Sequence, residues 1–143
     1  MVSQIICLHI AVAAKTTVKD SCEFPIGQNI CAVIKFKNGV SRKNDSPFEI
    51  KFETKDKKLI KIEKRPEMKL WMVMKSGHGH GSDELEIIPQ KNGASYFVKN
   101  VWFMMLGQWQ LKINLFHEGK SYNTELPICV YKLSDKSGPG NCL

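Results

Sequence analysis

Helical periodicity is almost absent from this chain, and that absence narrows the fold before any motif is considered. No window places apolar residues three and four apart for long enough to make an amphipathic helix. No apolar run reaches the roughly 20 residues a membrane-spanning helix needs, so no integral span is expected in the mature chain. Acidic residues are in deficit, 14 Asp and Glu against 21 Lys and Arg, a net charge of +7. The basic surplus comes without a P-loop, an aromatic-rich RNA-binding motif or a recognition-helix pattern, so nucleic acid is not an expected partner. Gly-x-Ser-x-Gly, a His-Glu-x-x-His helix and a nucleophilic triad are all missing, and the chain is not expected to be an enzyme. Cys-x-x-Cys spacing is missing too, which argues against a cysteine metal site.

What is present is period-two alternation. Ile30, Ala32, Ile34 and Phe36 alternate with polar or smaller residues up to a turn at Lys37-Asn38-Gly39. Phe48, Ile50 and Phe52 form a second strand pattern, Leu59 to Ile62 a third, and Leu70, Met72 and Met74 a fourth. Leu85 to Ile88, Tyr96 to Met105, Trp109 to Leu115 and Leu126 to Tyr131 complete the series. Short strands with turn signals every eight to twelve residues predict an all-β, immunoglobulin-like antiparallel β-sandwich of about seven or eight strands.

The N-terminus reads as an export signal. Ile5 to Val12 is a short apolar run and Ala11-Val12-Ala13 is an A-x-A-like cleavage site. Residues 1–14 are therefore expected to be a signal peptide, and residues 15–143 a single β-sandwich domain. Cleavage would remove Cys7 and leave Cys22, Cys31, Cys129 and Cys142. Four cysteines allow three pairings. Cys22 with Cys31 is favoured by proximity around Pro25-Ile26-Gly27, with Cys142 then free to reach Cys129. Disulfides place the chain in an oxidising compartment such as the periplasm. Lys51, Lys55, Lys57, Lys58, Lys61, Lys64, Arg65 and Lys69 fall close together and alternate with apolar residues, which predicts a solvated strand face.

The segment Leu70-Trp71-Met72-Val73-Met74-Lys75-Ser76-Gly77-His78-Gly79-His80-Gly81 carries the chemistry. Thioether sulfur suits Cu(I), and imidazole accepts copper in either oxidation state. Met72 and Met74 project from the same strand face because side chains alternate. The glycines permit the tight backbone paths that bring His78 and His80 back over the strand end. Read without a metal, the same residues are a buried strand followed by a flexible loop, and methionine is a common core filler.

This segment, together with Phe97 to Leu111, resembles the YtkA-like/FixH-like family of exported copper-handling β-sandwich domains. The family pattern runs Leu-Trp-Met-Pro-x-Met-Gly-His-Gly on one strand-loop and Val-x-Phe-x-Met-Pro-Gly-x-Trp-x-Leu on another. The resemblance covers most of residues 22 to 116. It implies copper ligands at Met72, Met74, one of His78 and His80, and Met105. Val73 and Leu106 stand where the family has proline, and the Met74-to-His78 spacing is longer by two residues.

These residues imply an exported, periplasmic copper-binding protein, a metallochaperone or resistance factor. It would hold Cu(I) as its cofactor or cargo and exchange it with a copper-donating or copper-accepting envelope protein. Imidazole coordinates only when neutral, so binding is expected to weaken below about pH 6.5. The competing expectation is a non-catalytic immunoglobulin-like module that binds a protein or envelope partner through its basic face.

Overall fold

The computed structural model describes residues 22–133 and 136–142, so the expected signal peptide lies outside the described residues. Among the described residues, ten strands form two antiparallel sheets of five, ordered β1-β2-β3-β7-β6 and β10-β9-β8-β4-β5. The first sheet contains β1 (Phe24–Gly27), β2 (Ile30–Phe36), β3 (Phe48–Glu53), β7 (Ser95–Lys99) and β6 (Glu86–Pro89). The second contains β4 (Glu67–Val73), β5 (Gly79–Gly81), β8 (Gly107–His117), β9 (Lys120–Val130) and β10 (Gly138–Pro139). The all-β sandwich read from the alternation is the fold.

Alternation decides which residues face the core, since successive strand side chains point to opposite faces. Phe48, Ile50 and Phe52 of β3 meet Leu111, Ile113 and Leu115 of β8 in one continuous apolar cluster. Trp109 is fully buried there, with its ring edge against Phe103 at 5.6 Å. The long β8–β9 hairpin turns through Glu118 and Gly119, both at positive φ. That pair of left-handed residues matches the twist of the flanking strands, the usual solution for a two-residue hairpin loop.

Four expectations about elements need correction. Three short strands, β1, β5 and β10, raise the count from the seven or eight expected to ten. Leu59 to Ile62 is not a strand of either sheet. Leu59 makes one isolated bridge to Glu53, and Ile60 and Ile62 donate to the carbonyls of Phe52 and Gly93. The segment packs apolar side chains without a partner strand, and alternation alone cannot detect that. The Tyr96-to-Met105 pattern also breaks early, because β7 ends at Lys99 and Asn100 turns at φ 59°. From there the chain crosses to the second sheet, anchored by Asp45 Oδ1 accepting from the Val101 amide at 2.7 Å. Finally, the lysines from 55 to 65 stand on the loop between β3 and β4, not on a strand face.

Two disulfides join Cys22 to Cys31 and Cys129 to Cys142. Both favoured pairings are realised, one at each end of the sandwich. Such cross-links persist in a non-reducing environment, as exported proteins experience. Among the described residues, no helix is long and apolar enough to cross a membrane.

Candidate metal centre

Strand β4 carries Met68 and Leu70 into the core, and its alternation leaves Met72 on the same inward face. Beyond Val73 the chain reverses. The Met74 amide donates to the His78 carbonyl at 2.8 Å, and Gly77, at φ 84°, donates back to the Met74 carbonyl at 2.9 Å. A residue with a side chain would be strained at that φ, so the glycine makes the turn possible. The return strand β5 pairs Met72 with His80, Val73 with Gly79 and Trp71 with Gly81.

This register explains the Gly-His-Gly-His-Gly sequence. Directly opposed residues share a face, with Cβ atoms about 5 Å apart. His80 therefore stands beside Met72, and His78 opposite Met74 at the turn. Gly79 and Gly81 fall on the other face, where the Trp71 ring lies across them. A Cβ built on Gly79 would stand 2.6 Å from the Trp71 Nε1, and one on Gly81 3.3 Å from its ring carbons. The glycines make room for tryptophan while the histidines fall on the methionine face. His80 is thus held in a strand, more fixed than the swinging loop expected.

Met105 comes from the crossover between β7 and β8, not from a strand end as expected. It packs against the core, while its neighbours Met104 and Leu106 are exposed. The buried Trp109 indole donates from Nε1 to the Met105 carbonyl at 3.0 Å, fixing the crossover backbone. Two residues on, Gly107 opens β8 at φ 122°. A Cβ there would stand 2.8 Å from the Met72 Cε methyl, so the missing side chain is the space that Met72 occupies. Met72 thus lies between its His80 partner on β5 and Gly107 at the start of β8.

The five candidate residues, Met72, Met74, Met105, His78 and His80, therefore lie at the same end of the sandwich. His78 Nδ1 lies 3.2 Å from Ser76 Oγ, which leaves Nε2 as the nitrogen for another partner. The remaining described histidine, His117, stands at the opposite end of β8, so among the described residues only His78 and His80 can meet here. Its side chain is only 16% accessible. Met68 is core packing. Among the described residues, no group of three or more His, Cys, Asp or Glu side chains could hold a metal. With all four described cysteines in disulfides, the sulfur donors here are thioethers. Neutral soft sulfur with one or two imidazoles fits a monovalent soft ion better than Zn²⁺ or a hard cation.

Sequence reasoning missed Ser76, the approach of Met72 to Gly107 and the indole–carbonyl bond to Met105. Only the bond had a sequence signal, the four-residue spacing from Met105 to Trp109. No family model, curated protein or solved structure matches the chain.

Proposed function

We propose that this chain is an exported, periplasmic Cu(I)-binding protein, a metallochaperone or copper-resistance factor rather than an enzyme. The observation that carries the reading is the pairing of Met72 with His80 across β4 and β5, with the Met72 methyl also lying against Gly107 at the start of β8. Thioether and imidazole donors from three separate segments share one end of the sandwich. That end is rimmed by the exposed Met104 and Leu106, so an ion there stays close to solvent and to a partner. The resemblance of these segments to the YtkA-like/FixH-like pattern supports the same assignment.

Neutral ligands suit cargo. No thiolate has to be reprotonated when copper leaves, so ligand exchange with a partner's own sulfur or nitrogen donors proceeds one bond at a time. Met72 and His80 would form the fixed part of the ligand set. Met74 and His78, on the turn, would supply the part that opens.

The test is competition for Cu(I) against a chromogenic chelator under reducing, oxygen-free conditions. Wild type should withdraw copper from the chelator. Met72→Ala and His80→Ala should each weaken this at least tenfold, and His117→Ala should leave it unchanged. No competition by the wild type, or equal competition by every variant, would remove the proposal.

A further inference from the structure

The end of the sandwich opposite the methionines is built from three loops that are tied together. The β3–β4 loop, residues 54–66, is joined to the turn after β6 where Ile62 donates to the Gly93 carbonyl at 3.2 Å. It is joined to the β8–β9 turn where Glu118 donates its amide to Glu63 Oε1 at 2.8 Å. Lys64 Nζ sits 4.9 Å above the Phe116 ring and fixes the same junction. The loops therefore present one surface and do not behave as separate tails.

That surface is strongly basic. Residues 54–66, 90–93 and 117–120 carry Lys55, Lys57, Lys58, Lys61, Lys64, Arg65, Lys91 and Lys120 against Asp56, Glu63 and Glu118. Glu53 at the end of β3 pairs with Lys57 at 3.3 Å, so eight cations stand against four carboxylates and leave +4, more than half the charge of the whole chain (+7) in under a sixth of its residues. Among these residues stands Leu59, half exposed at 51% and flanked in the chain by Lys58 and the half-buried Ile60. A large, half-exposed apolar side chain among these cations gives the basic surface a hydrophobic contact point.

We infer that this pole is a docking surface for an anionic phospholipid bilayer, with the lysines on the headgroup phosphates and Leu59 entering the interface. Clustered lysines beside a membrane each add roughly a fivefold gain in binding, and one apolar side chain adds to that. Lipid fits better than nucleic acid because the two disulfides belong to a non-reducing environment and because the exposed Leu59 has no partner on a phosphate backbone. Strand β8 spans the molecule from this pole to the methionine end, about 33 Å at 3.3 Å per residue. A docked molecule would therefore hold Met72 and His80 away from the bilayer, open to a soluble partner. The surface stands on its own charge and geometry and does not depend on copper binding.

The experiment is co-sedimentation of the full chain with phosphatidylcholine vesicles, with and without phosphatidylglycerol, at low and physiological salt. Binding is expected only with the anionic lipid, weakening as salt rises. Lys58→Gln/Lys61→Gln/Lys91→Gln should lose it by roughly 50-fold or more, and Leu59→Ala by several-fold, with circular dichroism unchanged. Arg42→Gln/Lys43→Gln/Lys75→Gln, which removes the same charge from other loops, should retain most of it. No binding to anionic vesicles, equal loss in the two triple variants, or tighter binding to duplex DNA than to vesicles would each overturn the inference.

Discussion

Gly79→Ala is the substitution that best probes why the histidines sit where they do. The added methyl would meet the Trp71 ring, with Nε1 at 2.6 Å and ring carbons nearer still. An indole is rigid, so the ring must swing away from β5. A tryptophan buries about 150–250 Å² when packed. Trp71 is only half-buried, so displacement returns about 80 Å² to water, a cost of about 2 kcal/mol at 25 cal/mol/Å². The Lys112 ammonium 5.4 Å from the ring would also be lost, about 0.5–1 kcal/mol at an exposed site. Replacing glycine by alanine in a strand returns a similar 0.5–1 kcal/mol through backbone entropy. The net expectation is about 2 kcal/mol of destabilisation, concentrated at the three-residue edge strand β5. Gly81→Ala, where the ring carbons lie 3.3 Å away and need shift only slightly, should cost less than about 1 kcal/mol. Urea unfolding followed by tryptophan fluorescence gives the energies, and amide exchange at His80 reports whether β5 stays paired with β4. A Gly79→Ala protein as stable as wild type, or one no worse than Gly81→Ala, would show that the Trp71 packing does not set the register.

Trp109→Phe should remove the donor to the Met105 carbonyl and cost about 1–3 kcal/mol, with a Cu(I) affinity loss that exceeds the effect of any equally destabilising core variant. Gly107→Ala should act in the same place: the methyl would displace the flexible Met72 terminus and strain a backbone at φ 122°, so Cu(I) affinity should fall more than stability does. Burial pushes the Glu53 carboxyl up, but hydrogen bonds and charge from Lys51 at 3.0 Å and Lys57 at 3.3 Å outweigh it and hold the pKa below 4.5. Its stabilisation is therefore complete above pH 4.5 and fades as pH falls through the lowered folded value. Glu53→Gln should cost about 2 kcal/mol at pH 7 and flatten that part of the acid-unfolding profile. Opening either disulfide should cost about 3 kcal/mol for loops of this size, measurable as a lower urea midpoint of the Cys22→Ala/Cys31→Ala and Cys129→Ala/Cys142→Ala proteins.

The parts of the fold written as strict alternation were legible. Phe48-x-Ile50-x-Phe52 and Trp109-x-Leu111-x-Ile113-x-Leu115 name both the strand and its inward face, because a one-residue slip would expose every apolar side chain. Alternation misled where apolar residues pack without a ladder, as at Ile60 and Ile62, and where a strand gives way to a crossover at Asn100. The short strand β5 was hidden for the opposite reason. Strand β5 is Gly-His-Gly, with no apolar residue to announce it, and it exists because Trp71 covers its glycines. The candidate donors were legible by chemistry, since few residue types bind a soft ion. Their arrangement was not, because the Met72–His80 register depends on the turn at Gly77, and the approach of Met72 to the crossover depends on the space left at Gly107.

The most direct test of the account is a Cu(I) titration of the protein labelled with ¹³C at its methionine methyls. The resonances of Met72 and Met105 should shift together and saturate at one equivalent, with the buried Met68 unmoved and the His80 imidazole shifting in step. If the methionine methyls do not move, or if Met68 and the exposed Met104 shift as much as Met72 and Met105, the end of the sandwich where β4 and β5 turn is not a copper site.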